Sequence, residues 1–299
     1  APKLFFIKHS GRTESVDTVS GVSHRSGIGF ATSTTARRCA GSHSEDAAAA
    51  SSADSTMRDD AVVAEMLSGG TLGGLLDVTT FGSDGFTFTI DAVFTDDFRV
   101  HVLAFGGTDI TNGTVGDRLT PTATGQETIT DPGFQPSIVF FVNIGAESTV
   151  NSLSTDASIG FGFGISETVE GSTMSADNDG AATSTTRRYG TDAECIAVWN
   201  ASSGISSRAD FDATTATGWQ MTWAAVAGNQ RRYLWMAIAG GTWFGGNGLT
   251  QTNTTTDITL ATAGSAPAGL FVFSHGTTES TPGTTQNHAM TSFGAATGT

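Results

Sequence analysis

Residues 138–141 (IVFF) repeat residues 4–7 (LFFI) 134 positions further along the chain, and this apolar stretch decides the fold. Four consecutive apolar residues of β-branched and aromatic type are typical of a strand that is buried on both faces. Pro136 stands just before the second stretch, and because proline cannot donate a ladder hydrogen bond, it predicts where that strand begins. The stretch therefore predicts a central strand with packing on both sides.

Four further matches keep the same order along the chain and nearly the same spacing. They pair residues 28–30 (IGF) with 159–161, 77–80 (DVTT) with 212–215, 85–86 (GF) with 218–219, and 103–107 (LAFGG) with 237–241. Their offsets lie between 131 and 135, so few insertions or deletions separate the copies. A partial third copy begins at residues 270–273 (LFVF). The chain is therefore predicted to be a tandem repeat, with repeat one at 1–131, repeat two at 132–265 and a partial third repeat, a strand or hairpin extension, at 266–299.

Local patterns favour short strands separated by turns. Residues 85–94 begin with alternating apolar and polar side chains, which would place Phe86, Phe88 and Ile90 on one face of a strand. Glycine and asparagine between the apolar runs suit tight hairpin turns, and the sequence shows no long amphipathic helix. We therefore predict an all-β fold of two tandem β-sandwich (jelly-roll-like) units plus the partial third repeat.

One segment carries mixed signals. Residues 47–50 (AAAA) and 61–67 favour a helix by propensity. However, residues 60–67 align with the strand-like residues 192–199. We therefore predict strands at both aligned positions, and a loop or a single helical turn at the alanine run. The predicted packing anchors are apolar residues at matching positions of the two copies: Phe6, Phe30, Phe86 and Phe105 in repeat one, and Phe140, Phe161, Trp219 and Ala239 in repeat two.

Composition and charge narrow the classes of function. The 299 residues include 19 Phe and 5 Trp in regularly spaced apolar runs, which indicates a globular protein and not a disordered one. The formal net charge of −15 repels phosphate backbones, so nucleic acid is not an expected partner. No run of 18 apolar residues occurs, and residues 1–30 lack the long apolar core of a signal peptide. Neither membrane insertion nor export by the usual route is therefore expected.

No arrangement of reactive side chains predicts an enzyme. His9, Ser10 and Asp17 include the residue types of a hydrolase triad, but the serine lacks the glycine-flanked turn that such a nucleophile needs. The second copy has Asn143 at the position of His9, which favours a structural role for both. A glycan-cleaving enzyme would need two carboxylates at a suitable separation, and no pair recurs in such a setting. We therefore expect no catalytic residue.

The sequence also predicts no cofactor and no metal. The six histidines show no metal-ligand spacing. Cys39 and Cys195 have no partner at such a spacing either and are expected to be free thiols. Residues 177–180 (DNDG) resemble part of a calcium loop, but the closing glutamate is missing, which favours an acidic turn.

Trp243 and Phe244 are the best candidates for a contact surface. They lie between two Gly-Gly pairs, and aromatic rings in such a loop could stack on a sugar or bind another subunit. The alternative is that they pack in the core or between the repeats. Glycan stacking would make the chain a carbohydrate-binding adhesin, a host-recognition module whose partners are host surface glycans.

The recurrent pattern is an apolar strand, Ile-Gly-Phe, Asp-x-Thr-Thr before a Gly-aromatic pair, and a strand ending in Gly-Gly. Residues 124–128 (TGQET) and 133–137 (GFQPS) link one copy to the next. Over nearly the whole chain this pattern resembles the β-rich repeat units of tailed-bacteriophage virion proteins, of the tail-fibre, head-fibre and capsid-decoration types. The third copy departs from it, because residues 266–268 (APA) lack the Gly-Phe before proline. The resemblance implies a non-enzymatic structural protein of the virion, an extracellular particle, whose partners are other virion proteins and copies of itself.

The partial third repeat suggests how such an assembly would form. Strands need neighbours to satisfy their edges, and a partial copy supplies strands without the remainder of its unit. We hypothesise that residues 270–299 complete a sheet, either with unit one of the same chain or with a neighbouring subunit by strand addition.

Overall fold

A computed structural model describes residues 1–10, 23–45, 50–95, 97, 99–145, 149–182, 186–200, 204–246, 268–274, 285–287 and 292–297. These residues form strands and connecting turns without any helix, so the all-β prediction is confirmed. None of the described segments is therefore a helix that could cross a membrane. The strands are β1 (Pro2–His9), β2 (Ser23–Ala31), β3 (Arg37–Glu45), β4 (Ala53–Arg58), β5 (Val63–Leu67), β6 (Thr71–Phe81), β7 (Phe86–Ala92), β8 (Val100–Gly106), β9 (Ile110–Leu119), β10 (Gly125–Ile129), β11 (Ile138–Asn143), β12 (Ser152–Thr155), β13 (Ala157–Ser166), β14 (Val169–Asp177), β15 (Arg187–Thr191), β16 (Ile196–Asn200), β17 (Gly204–Thr215), β18 (Gly218–Ala225), β19 (Arg232–Gly240), β20 (Gly269–Ser274), β21 (Thr285–Asn287) and β22 (Ser292–Thr297).

The strands form two similar units, each with an inner and an outer sheet. Unit one is built on β1–β8, with the inner sheet ordered β12-β4-β3-β2-β1-β8 and the outer sheet ordered β5-β6-β7. Unit two is built on β11 and β13–β19, with the inner sheet ordered β21-β15-β14-β13-β11-β19-β9 and the outer sheet ordered β10-β18-β17-β16. The third copy contributes β20, β21 and β22.

The order of strands within each unit is a meander, which corrects the jelly-roll-like prediction. The strands β1 to β4 pair in sequence, and so do β5 to β7; only β8 returns to pair with β1. A jelly roll would instead be built from two Greek keys, in which a long connection returns the fourth strand beside the first.

The apolar stretches of β1 and β11 are buried on both faces, because each contributes to two cores at once. In β1, Phe5 and Ile7 point toward the outer sheet of unit one, while Leu4 and Phe6 point toward unit two. β11 alternates in the same way between its own outer sheet and the other unit. The two inner sheets therefore face each other across a central core, which the structure places between the sandwich cores of the two units.

Equivalent phenylalanines from all three copies meet in this central core. The ring centroids of Phe6 and Phe140 are 4.9 Å apart, those of Phe6 and Phe271 are 5.0 Å apart, and those of Phe140 and Phe271 are 5.9 Å apart. In each copy a glycine lies opposite the residue that follows this phenylalanine: Gly29 opposite Ile7, Gly162 opposite Phe141 and Gly294 opposite Val272. The three copies are therefore arranged around one common point.

Strand register corrects two of the sequence matches by two residues. A Cβ atom at Gly29 would lie 1.9 Å from the carbonyl oxygen of Val62, and a Cβ atom at Gly162 would lie 1.9 Å from that of Cys195. Both positions therefore require glycine for the same contact, and Gly29 corresponds to Gly162 at an offset of 133, not to Gly160 at 131. A two-residue slip keeps every side chain on its own face of the strand, so the periodicity does not reveal it.

The same offset of 133 holds through the remaining strands. Asp77 corresponds to Asp210, because both precede the same bulge in the pairing of β6 with β7 and of β17 with β18. Asp212, the match proposed from the sequence, lies two residues further along. Phe105 corresponds to Ile238 and not to Ala239, because they pair with the equivalent residues Leu4 and Ile138.

The segment with mixed signals forms strands, as predicted. β5 covers most of residues 60–67, and its counterpart β16 covers most of residues 192–199. Residues 47–49 of the alanine run lie outside the described residues. Among the predicted packing anchors, Phe6, Phe30, Phe140, Phe161 and Trp219 are buried, and Phe86 and Phe105 are half-buried. The two half-buried anchors lie on β7 and β8.

Packing in the central core predicts that truncation of Phe140 causes a large loss of stability. We expect Phe140→Ala to lower the free energy of unfolding by about 3–5 kcal/mol, because a cavity would form where three copies meet. Phe244 is exposed, so Phe244→Ala serves as the control and should change it by less than about 0.5 kcal/mol. Chemical denaturation measures both. If both substitutions change the free energy of unfolding by the same small amount, the central core does not hold the units together.

Candidate assembly surface

Unit two is completed by strands that come from other copies. β9 and β10 follow unit one in the sequence, yet β9 pairs with β19 and β10 pairs with β18. At the other end of the inner sheet, β21 of the third copy pairs with β15. The sheets therefore do not end at the repeat boundaries. We call β9 and β10 the donated strands, because they leave unit one and close the edges of both sheets of unit two.

Polar contacts fix the donated strands in place. The indole Nε1 of Trp223 donates to Glu127 Oε2 of β10 at 2.9 Å. The carboxylate of Asp117, on β9, forms ion pairs with Arg38 of unit one and with Arg232 of unit two. Arg118 lies next to Asp117 and pairs with Glu127. β9 therefore joins the two units while it completes one of them.

Unit one has no such strands among the described residues. Nothing in the described part of the chain pairs with the outward sides of β7 and β8, which lie at the same end of the unit. We call this pair of strands the open edge. Side chains at equivalent positions differ in burial between the two units. Ile90, Val100 and Val102 of unit one are 58%, 37% and 42% exposed. The equivalent residues of unit two are almost fully buried: Trp223, Tyr233 and Trp235 are 1%, 0% and 3% exposed. The open edge therefore exposes the residues that β9 and β10 help to bury in unit two.

The predicted alternation on β7 fits the strand register, although the end of the strand is uncovered. Phe86 and Phe88 do share a face and pack on Phe5, with ring centroids 4.6 and 5.4 Å from its ring. Ile90 lies opposite Leu76, which packs in the same core, so it is on the same face but is exposed. The pairing between β6 and β7 shifts by one residue next to Ile90, and the strand is an edge strand. Both features leave the end of β7 uncovered.

The hairpin of the third copy presents a second uncovered apolar face. Its inner face packs on the central core through Phe271 and Phe273. Leu270 and Val272 point the other way and are exposed. Their counterparts in β1 and β11 are covered by the outer sheets of units one and two. The hairpin is therefore half of a sandwich.

The structure places the third copy differently from the hypothesis that it completes a sheet of unit one. β20 and β22 pair only with each other within the described residues. β21 extends the inner sheet of unit two, through Arg187↔Asn287 and its neighbours. Unit one receives its extra strand from repeat two, because β12 pairs with β4. Each copy therefore extends the inner sheet of the copy before it.

The predicted contact residues Trp243 and Phe244 occupy different environments. Trp243 is half-buried; its Nε1 donates to the carbonyl of Gly240 at 2.8 Å, and its ring packs near Phe105 and Phe140. These contacts place it between the repeats. Phe244 is exposed. The two rings therefore do not form one flat platform of exposed aromatic surface.

The acidic turn at residues 177–180 connects the two units. Asp177 accepts a hydrogen bond from the hydroxyl of Ser44, and Asp179 Oδ1 accepts one from the backbone N–H of Ala53 at 3.1 Å. The carboxylates are thus used between β14 and the strands of unit one. No group of three His, Cys, Asp or Glu side chains within the described ranges could hold a metal ion.

The groups that suggested chemistry are buried in structural positions. His9 lies inside unit one, and burial lowers its pKa to about 3, so the ring stays neutral. Asp17, the third member of the apparent triad, lies outside the described residues. Cys39 and Cys195 are buried free thiols, and burial raises the pKa of both above the usual range. Thiols in such settings are not activated as nucleophiles.

One charged position differs between the units in a way that the sequence did not indicate. In unit one Arg37 forms an ion pair with Asp77 between the inner and outer sheets. The equivalent residues of unit two are Glu170 and Asp210, two acids. The pKa of Glu170 is raised to about 8, mainly by burial. The neighbouring carboxylates of Asp210, Glu194 and Asp212 contribute to this rise, and a hydrogen bond from the N–H of Phe211 opposes it.

No family model, curated protein or solved structure matches this chain. Unit two can be compared strand by strand with unit one, because the two units share strand order and register. By this comparison the open edge is the position at which unit two carries two further strands.

Matched substitutions in the two units test whether the edge is open in the isolated chain. We expect Trp235→Ala to cost about 3–5 kcal/mol of unfolding free energy, because its ring is enclosed by the donated strand. Val102→Ala, at the equivalent position, should cost less than about 0.5 kcal/mol in dilute monomer. Urea denaturation compares them. A large cost at Val102 would mean that the edge is already covered.

The acidic pair in unit two predicts an unusual pH dependence. Because the folded pKa of Glu170 is raised, its contribution to stability is complete below the pKa of the unfolded chain, about 4.5, and is lost as pH rises through about 8. Glu170→Gln should therefore be more stable than the parent chain at pH 9 and lose less stability between pH 5 and 9. Thermal unfolding across this range measures it. Parallel curves for the two proteins would contradict the assignment.

Proposed function

We propose that the chain is a non-enzymatic structural component of a phage-like virion, of capsid-decoration, fibre or tail type. It acts by assembling with copies of itself and with other virion proteins. The open edge of unit one is the observation that carries this proposal, and the resemblance of the repeat pattern to virion proteins supports the setting.

The open edge has the properties of an association site. Edge strands of monomeric proteins usually carry charges or proline that prevent pairing with another chain. β8 has neither on its seven residues (VHVLAFG), and β7 has one charge, Asp91. The exposed side chains of Val100 and Val102 lie along β8. An incoming strand would find unpaired backbone groups beside an apolar surface.

Strand addition at this site would be favourable for two reasons. Main-chain hydrogen bonds form along the length of the added strand. Burial of Ile90, Val100 and Val102 adds roughly half of the about 1.5–3 kcal/mol that full burial of an exposed large apolar side chain contributes, because these side chains are already about half covered. Unit two shows the product of such an addition, since β9 and β10 cover the equivalent residues.

The buried charges favour a structural role over a catalytic one. Glu65 is fully buried and pairs with Arg25 at 2.8 Å. Glu194 binds both Arg208 and the hydroxyl of Tyr189. Each of these carboxylates is used within the protein and is turned toward another strand, not toward a cleft. Such groups hold strands together.

Self-association tests the proposal. Light-scattering mass and negative-stain electron microscopy over a range of concentrations should show ordered oligomers or filaments of the parent chain. Val102→Lys should reduce assembly at least about tenfold, since a charge on an edge strand opposes pairing. Leu153→Lys, a similarly exposed apolar residue on β12, is the control and should assemble normally. A parent chain that stays a discrete monomer throughout would refute the proposal and direct attention to glycan binding at Phe244.

A further inference from the structure

The chain carries a donor sequence after each unit. Residues 110–129 follow the last strand of unit one and form β9 and β10. Residues 244–260 follow the last strand of unit two and repeat two features of the first segment. Asn112-Gly113 recurs as Asn247-Gly248, and Thr128-Ile129 recurs as Thr259-Leu260. Each segment also ends nine residues before the strand that begins the next copy, β11 or β20. By sequence, residues 244–260 are the counterpart of the donated strands.

Donation has a direction along the chain. β9 and β10 pass from unit one to the edge formed by β18 and β19 of unit two. The same step would carry residues 244–260 to the next copy. The described strands of that copy correspond to β11, β12 and β13 of unit two, and none of them corresponds to β18 or β19. Among the described residues, the acceptor edge that remains is that of unit one.

Two glycines of unit one indicate what fills this edge. In unit two a Cβ atom at Gly218 would lie 1.9 Å from the carbonyl oxygen of Ile129, on the donated strand β10. Gly85 is the equivalent residue, and nothing lies within 4 Å of its Cβ position. Its φ is not in the left-handed region, so the backbone does not require glycine either. Gly85 is the residue that an incoming strand of the β10 type needs.

Gly107 supports the same conclusion. Its counterpart Gly240 places a Cβ atom 2.0 Å from the carbonyl oxygen of Asp109, next to the start of β9. Gly107 has open space at this position. A positive φ at both residues also favours glycine, so Gly85 is the stronger indicator. The two glycines therefore mark where strands equivalent to β10 and β9 would lie against the open edge.

We propose that a second copy of this chain fills the open edge of unit one with its residues 244–260, so that copies join head to tail. The inference rests on the proposed assembly function and names the partner. In this arrangement Leu260 would take the place of Ile129, which is fully buried opposite Trp219, and would pair opposite Phe86. Because donor and acceptor are different surfaces, each copy offers one of each, and the contact repeats into a filament or closes into a ring.

Complementation between two variants tests the inference. Gly85→Val blocks the acceptor, and because its Cβ position is open, the monomer should fold normally. Leu260→Asp blocks the donor. Each variant alone should need at least about tenfold higher concentration to associate, while an equimolar mixture should give a heterodimer, because one free edge and one free donor remain. Analytical ultracentrifugation of the full chains measures this, and thermal unfolding checks their folding.

A matched control variant is available, and each contrary result has a different meaning. Thr256→Asp introduces the same charge at the counterpart of the exposed Gly125 and should assemble like the parent chain. If Leu260→Asp alone assembles as well as the parent, the edge is filled by another segment, and the inference is wrong while the assembly function stands. If Gly85→Val also assembles normally, the edge is not used at all. A parent chain that never associates would instead refute the proposed function.

Discussion

The structure depends on one constraint, which is that the first strand of each copy is apolar on both faces. Burial of both faces requires each of these strands to contribute to a sandwich core and to a shared central core. Phe6, Phe140 and Phe271 satisfy the second requirement together, because their rings contact one another. A single unit could not bury this face alone. The repeats are therefore held together by burial of apolar surface, which is the dominant favourable term in folding.

Packing around a common core brings the edges of neighbouring copies together and makes strand donation the means of closing them. Unit two receives strands from the copies on both sides, and its sandwich core is closed by aromatic residues such as Trp223 and Trp235. Within the described residues unit one receives only β12, and smaller residues are exposed at the same positions. The difference between the units thus follows from the donated strands. We propose that the same rule extends from neighbouring copies in one chain to neighbouring chains.

Much of the fold could be predicted from the sequence, because strand periodicity and the repeat are local signals. The buried strand at residues 138–141, the strands at 63–67 and 196–200, and the all-β class all follow from such signals. The matches of Gly29 and Asp77 were wrong by two residues, because a slip of two residues leaves the alternation of side chains unchanged. Strand addition was expected only of the partial third repeat. The donation of β9 and β10 was not predicted, because the alternation of their side chains does not show which copy they pair with. Gly85 could be recognised in the sequence as part of a repeated Gly-aromatic pair. The reason for a glycine there follows only from the contact of Gly218 with Ile129 in the structure.

Hydrogen–deuterium exchange of β8 (Val100–Gly106) over concentrations that span assembly is the most direct test of the open edge. In the dilute monomer, the outward amide hydrogens of β8 should exchange quickly, while those of β19 (Arg232–Gly240), covered by β9, should exchange slowly. In the assembled state, β8 should become as protected as β19. Protection of β8 that is already high in the monomer, or that does not change on assembly, would contradict an acceptor edge in unit one.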